Sequence, residues 1–314
     1  RVELNFHPDR KTASGQNVAE GLLSDGVYRS QFQTGISNGS VSSHPGGFRY
    51  QWEHGMFGGA YDDAPGLERP KYGALNLMNW SDGSAPRFGS CYFGLLPSVS
   101  QRTTFSYGDS ASEPTEFGTT KTFDSIWAAM LRDVTSNIEV LGLADTSLQR
   151  LARKFQSAFA GPDTERFQQL PGRVLDDYIE AQVHGEIRLE RDVEFLAIDP
   201  SFAKSSVGDT LASMAKTYGF PIYHHRGFRV DPHRVPDEFR GPDVPRLAKH
   251  LWQSSAFSAR DIGEAASSFH ANPEAWTTWG TKEETLQLIK QLWHCLVQFG
   301  VPYDQSPFGS DANG

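Results

Sequence analysis

Residues 177–198 read DYIEAQVHGEIRLERDVEFLAI. Ile179, Ala181 and Val183 alternate with Glu180, Gln182 and His184, the two-residue period of a strand with one face in a core and one face wet. The spacing predicts strands over 176–184 and 192–198, in tandem, with Glu180 on the polar face of the first. Outward from this pair, Val2, Leu4 and Phe6 alternate within residues 1–11 and predict another strand, broken by HPDR. Residues 87–96 (RFGSCYFGLL) and 102–107 (RTTFSY) read as two more.

Helical periods fill much of the rest. Residues 16–25 (QNVAEGLLSD) predict a short helix with Gly26 as its C-cap. Residues 120–142 predict an amphipathic helix with Phe123, Ile126, Trp127, Met130 and Leu131 on one stripe. Helices are also predicted at 71–79 (KYGALNLMN), 145–160, 207–219, near 244–252 and at 283–299. Residues 27–34 read as a strand, 35–47 as a Gly/Ser/His-rich loop, 48–61 as a strand followed by the turn MFGGAY, and 62–71 as a loop. The fold class is therefore α+β, with a catalytic-type region over 1–203 and a mainly helical C-terminal region over 204–314.

Composition excludes several classes. The chain has 314 residues and a net charge of −9, with 12 % aromatic residues, 30 Gly and 18 Pro. Its aromatic side chains can fill a sizeable core, which excludes general disorder. The Gly and Pro content argues against a helical bundle. No apolar run is long enough to span a membrane. The negative charge disfavours nucleic acid and anionic membranes as partners. Cys91 and Cys295 stand far apart without a CxxC knuckle and predict two buried thiols rather than the one disulfide they could form. The chain begins at Arg1 rather than Met, which predicts a processed or trimmed start and leaves the compartment open, a soluble secreted effector being one reading.

Most familiar catalytic signatures are missing: there is no P-loop, GxGxxG or HExxH, and the Gly-rich spots GISNG, GMFGG and GFRYQWEHG do not sit between a strand and a helix as a dinucleotide fingerprint requires. His224, His225 and His233, with Asp231 or Asp237, would be the candidates for a metal, but their spacing matches no ligand pattern and favours a solvated loop. His184, beside Glu186, is a candidate base.

One constellation is more specific. His7 ends the first strand. Tyr61 closes GMFGGAY, Tyr72 ends RPKY eleven residues later, and Glu180 lies in DYIEAQV. This order resembles the ADP-ribosyltransferase superfamily, in the clade named for its His-Tyr-Glu triad, over roughly residues 3–200. Over the whole chain, FHPDR, YRSQFQTGISNG, FGGAYDD, ERPKYGALNL, PRFGSCYF and TFSYGDS resemble an uncharacterised bacterial family of unknown function. The superfamily resemblance implies a split β-sheet core and NAD as substrate. Cleaving the nicotinamide–ribose bond builds an oxocarbenium-like sugar, as in glycoside hydrolysis. Glu180 would stabilise that charge, Tyr61 and Tyr72 would sandwich the nicotinamide, and His7 would bond the adenosine-side ribose. Arg10, Arg29, Arg69 and Arg87 could hold the pyrophosphate. Pro8 stands where the clade has Gly and carries no N–H, so a backbone donor would come from Asp9 or Arg10. A second register resembles the Arg-Ser-Glu clade, with Arg29, Ser90 and Glu180 as the site and Gln182 alongside. Either register implies ADP-ribosyl transfer to an acceptor, such as a protein, or NAD hydrolysis. A different reading is a binding module that presents Trp52, Trp80, Trp276 and Trp279 from polar loops.

Overall fold

A computed structural model describes residues 1–12, 14–35, 43–136, 138–144, 146–160 and 163–306. Its frame is an eight-stranded sheet. In chain order the strands are β1 (Val2–Phe6), β2 (Lys71–Leu75), β3 (Cys91–Leu95), β4 (Thr103–Tyr107), β5 (Phe117–Thr119), β6 (Ile179–Val183), β7 (Val193–Ile198) and β8 (Ile222–His224). Their order across the sheet is β8-β7-β3-β1-β2-β6-β4-β5. Only β8 on β7 is a parallel pair; the other neighbours run antiparallel.

Register divides the sheet into two unlike faces. Residues directly opposite in an antiparallel pair share a face, so Leu4 lies with Phe93 and Phe105 with Ala181. That face is apolar. Helices α1 (Val18–Asp25), α3 (Asp124–Thr135) and α5 (Ser206–Tyr218) cover it, and their buried side chains join it in one cluster that reaches Val297. The opposite face is polar. Glu3, Asn5, Tyr72, Thr104, Ser106, Glu180 and Gln182 all lie on it, because Tyr72 and Thr104 both face Gln182 and Ser106 faces Glu180.

The sheet forks on this polar side. β1 pairs with β2 only at Val2–Leu75 and Glu3–Ala74, and then parts from it. β1 stays paired with β3 through Phe6, and β2 with β6 through Lys71. Beyond Glu3 the two halves of the sheet therefore diverge.

Several expected elements hold. α1 begins at a capping box between Asn17 and Glu20 and ends at Gly26, whose φ of 65° is the left-handed C-cap. α4 (Leu148–Ala160), α6 (Asp243–Trp252), α7 (Ala259–Ala271) and α8 (Lys282–Phe299) complete the long helices, α5 included. Four expectations are corrected. Residues 71–75 form the strand β2, not a helix: β2 is hydrogen-bonded on both sides, and a Cβ on Gly73 would stand 2.3 Å from the Glu3 carbonyl oxygen. Residues 48–57 form helix α2 (Phe48–Phe57), not a strand, because it buries Arg49 and Glu53, four residues apart, on one face. In 27–34 only Val27–Tyr28 is extended. It pairs with Ile187–Arg188, and a helical turn, Gln31–Thr34, follows from the Ser30–Gln33 capping box. The stripe of α3 is Ile126, Ala129, Met130 and Val134. Trp127 and Leu131 are exposed, each turned about 100° away from the buried Ile126 and Met130 that precede them.

Residues beyond 203 contribute β8 to the sheet edge and α8 to the polar side, where the Trp293 indole N–H donates to the Pro86 carbonyl at 2.8 Å. Cys91 and Cys295 are free and buried. Among the described residues no helix is long and apolar enough to cross a membrane.

Candidate active site

The fork opens a cleft of two adjoining cavities. The larger, about 500 Å³, is bordered by His7, Arg10, Arg29 and Tyr72. The smaller, about 170 Å³, is bordered by Arg49, Tyr72, Arg87, Asp109, Glu180 and Lys290. Asn5, Tyr28, Gln31 and Tyr72 border both, so Tyr72 stands at the neck. The larger volume lies within the range of small-molecule and cofactor sites.

Glu180 is held from both ends of its carboxyl group. Gln182 Nε2 donates to Oε1 at 2.9 Å, and the Ser110 hydroxyl and backbone N–H reach Oε2 at 3.2 and 3.3 Å. Burial, reinforced by nearby Asp109, pushes the carboxyl up to about 7 against the pull of these bonds. A carboxyl poised near neutral pH can both carry charge and take a proton.

Behind Glu180 a hydrogen-bonded chain runs across the polar face. Gln182 Oε1 accepts from the Thr104 hydroxyl at 2.9 Å, and Thr104 Oγ1 lies 3.0 Å from His184 Nε2. His184 Nδ1 lies 2.5 Å from the Tyr61 hydroxyl. The amide oxygen can only accept, so Thr104 donates to it and receives the Nε2–H of a neutral His184; Tyr61 then donates to Nδ1. Burial and Arg102 lower the His184 imidazole, consistent with that neutral form. Thr104 thereby turns the Gln182 amide so that its NH₂ points at Glu180.

The structure gathers most of the expected residues and redistributes the rest. His7, Arg10, Arg29, Tyr72, Arg87 and Glu180 meet at the cleft. His7 lies edge-on to Trp293 at 5.0 Å, and burial followed by Arg10 lowers its imidazole to about 3, so it is neutral at pH 7. The Arg10 N–H turns back to the His7 carbonyl at 3.4 Å. Gln182 touches Glu180 rather than the cavity. The expected sandwich of Tyr61 and Tyr72 is not formed: Tyr61 borders neither cavity and stacks on His184 at 5.9 Å. Ser90 also borders neither, and its carbonyl accepts from His225 Nε2 at 2.9 Å. Arg69 is spoken for, bound to Glu53 at 2.5 Å and lying 4.0 Å over the Phe32 ring. Arg29 pairs with Asp25 at 2.8 Å on the cleft rim.

Arg49, Asp109 and Lys290 border the cleft but were not read from the sequence, nor was Glu53 behind them. The Arg49 guanidinium lies 4.6 Å over the Tyr72 ring, and Glu53 accepts the Tyr72 hydroxyl at 3.1 Å. The four-residue spacing of Arg49 and Glu53 is visible in the sequence, but it means something only once 48–57 is a helix.

Of the four Trp residues expected on polar loops, Trp276 and Trp279 are 6 % and 8 % exposed, Trp80 donates its indole N–H to the Leu141 carbonyl at 2.7 Å, and Trp52 borders the smaller cavity. His225 is buried between Ser90 and Gly227. Among the described residues no group of three or more His, Cys, Asp and Glu side chains is placed to hold a metal ion.

One family model matches residues 1–299, that of the protein of unknown function DUF3626. The chain belongs to the DUF3626 family. No curated protein matches it. Every residue of the cleft lies within the matched span, including Lys290 on α8, so the forked sheet and the helix that closes its polar side fall inside one family unit.

Proposed function

We propose that the protein cleaves the nicotinamide–ribose bond of NAD and passes the ADP-ribosyl group to an acceptor, such as a protein, or to water. The observation that carries this reading is the fork between β1 and β2. It puts one buried carboxylate, Glu180, at the wall of a cleft that also holds His7, an aromatic ring and several cations. The resemblance to the ADP-ribosyltransferase superfamily implies a split sheet with a Glu of this kind, and the fork is compatible with it.

In this reading the C–N bond breaks with its electron pair leaving on neutral nicotinamide, so no strong acid is required. The ribose becomes oxocarbenium-like. The Glu180 carboxylate, aimed by Gln182 and Ser110, stabilises that charge and accepts the 2′-hydroxyl. An attacking hydroxyl or water then gives its proton to Glu180. Of the two registers, the one with His7 is supported by the cleft lining, whereas Ser90 lies outside it. The negative charge of the chain favours a protein or small molecule over nucleic acid as acceptor.

The direct test is to incubate the protein with NAD, alone and with a cell lysate as acceptor source, and to follow nicotinamide by chromatography. Release from the intact protein supports the reading, and no release together with no thermal shift on adding NAD sinks it. The pH profile adds a sign. Because the carboxyl titrates near 7 and the carboxylate is the working form, kcat/KM is expected to rise roughly tenfold per unit below pH 6 and to level off above pH 8. A profile that falls with rising pH contradicts a carboxylate role.

Tyr72 supplies a ring and a hydroxyl with separable tasks. Tyr72→Phe keeps the ring and is expected to change the NAD requirement by less than about twofold. Tyr72→Ala should raise it about fivefold, the scale of one aromatic contact of ~1 kcal/mol. Equal effects in titrations of the two variants would assign the work to the hydroxyl and its bond to Glu53.

A further inference from the structure

The smaller cavity that Glu180 borders is also lined by Arg87 and Lys290, and around these two side chains several buried polar atoms have no hydrogen-bond partner among the described residues. The Arg87 and Arg240 Nε atoms are buried without a partner among the described residues. So are both ring nitrogens of His294, a side chain only 3 % exposed. Buried polar atoms are nearly always satisfied, and a cluster of exceptions calls for an occupant.

These side chains come from three separate elements brought to one place. Lys290 and His294 are four residues apart and share a face of α8. The Trp293–Pro86 bond docks that helix on the turn carrying Arg87. Phe239, packed edge-on to Phe299 at 5.0 Å, docks the short helix Asp237–Arg240 on the other side. Asp176 bridges the Arg87 and Arg240 guanidinium groups from outside, at 3.3 Å from Arg240, but is itself 61 % exposed. The other nearby carboxylate, Asp109, is occupied by the Tyr178 hydroxyl at 2.7 Å and the Ala111 N–H at 2.9 Å. No ion-pair partner of the Lys290 ammonium stands among the described residues.

We propose that Arg87, Arg240, Lys290 and His294 form a binding site for a phosphate group of the nucleotide substrate, next to Glu180. The choice of ligand rests on the NAD reading; the site itself rests on the unpartnered buried polar atoms. Two guanidinium forks and an ammonium match the oxygens of a phosphate or pyrophosphate. The mutual repulsion of these groups agrees: burial, then Arg87 and Arg240, lower Lys290 to about 8, and burial, then Arg240, Lys290 and Arg87, lower His294 to about 2. An anion between them would relieve that repulsion.

The test uses inorganic pyrophosphate as probe, by calorimetry on the full chain at 150 mM chloride. One equivalent is expected to bind the wild type, at least about tenfold more weakly in Lys290→Gln and in Arg240→Gln, and undiminished in Glu180→Gln. Arg240 is a quarter exposed, so its replacement leaves the core in place; melting curves confirm that each variant is folded. Absence of saturable binding, or equal affinity in wild type and both variants, overturns the site. Pyrophosphate bound through these residues, in a protein that never releases nicotinamide, leaves the site standing and removes the NAD reading. Nicotinamide release with an unchanged KM in both variants does the reverse.

Discussion

Glu180→Gln is expected to lower nicotinamide release from NAD by at least about a hundredfold while leaving the protein folded. The size follows from what is lost. A preorganised charge in a buried site is worth about 10²–10³ in rate when removed, because water cannot replace it there. The substitution is nearly isosteric, and a Gln amide oxygen can still accept from Ser110 or Gln182, which hold the native carboxyl at 2.9–3.3 Å. Stability should even move the other way with pH. The folded-state carboxyl titrates near 7, above its ordinary value of 4.5, so the wild type loses stability as pH rises between those values. The Gln variant has no such loss at this position. Its denaturation midpoint at pH 8, relative to pH 5, should therefore fall less than that of the wild type. Wild-type turnover in this variant would remove Glu180 from the chemistry.

Arg166→Met is expected to cost about 3–5 kcal/mol of stability, the scale of breaking a buried ion pair from one side. Arg166 Nη2 lies 2.8 Å from Glu3 Oε1, and the two side chains are 2 % and 0 % exposed. Glu3 stands on the polar face of β1 at the root of the fork, where the Ser84 N–H and the Asn76 amide supply its only other donors among the described residues, at 2.9 and 3.0 Å. Without Arg166 a full charge would remain in the interior with two neutral donors. The double variant Glu3→Gln, Arg166→Met removes both charges and should regain much of the loss. Denaturant unfolding of the two single variants and the double reads this directly. Additive losses would show that the pair is not coupled and that the root of the fork is held by packing alone.

The Glu180 strand, its successor, the first strand and the capped helix at 18–25 were legible in the sequence because each is specified locally. Strict alternation and a Gly C-cap need no distant partner to be recognised. The register of β6 then forces Glu180 and Gln182 to one face and Ala181 to the other, so the polar-face position of Glu180 could be named before any fold was known. His7 and Tyr72, named from the order of motifs, and Arg10, named for its charge, all border the larger cavity.

The tertiary structure decided what those residues face. KYGALNLMN carries apolar positions that suit a helix or a strand, and only pairing with β1 and β6 makes it β2, with Gly73 where the Glu3 carbonyl passes. FRYQWEHGMF looks strand-like by its aromatic residues. It is a helix because Arg49 and Glu53 find buried partners in Tyr72 and Arg69. Tyr61 was placed opposite Tyr72 by sequence order, yet it serves Glu180 from behind through His184, Thr104 and Gln182. Lys290, Arg240 and His294 were unreadable, since a charged residue on a surface-type helix period is normally solvated. What sets them apart arises only where three elements, 87, 240 and 290–294, bring their polar groups together. Local pattern specifies which face of a strand or helix a residue takes; which charges are taken out of water together depends on chain segments up to about 200 residues apart, and no local pattern encodes that.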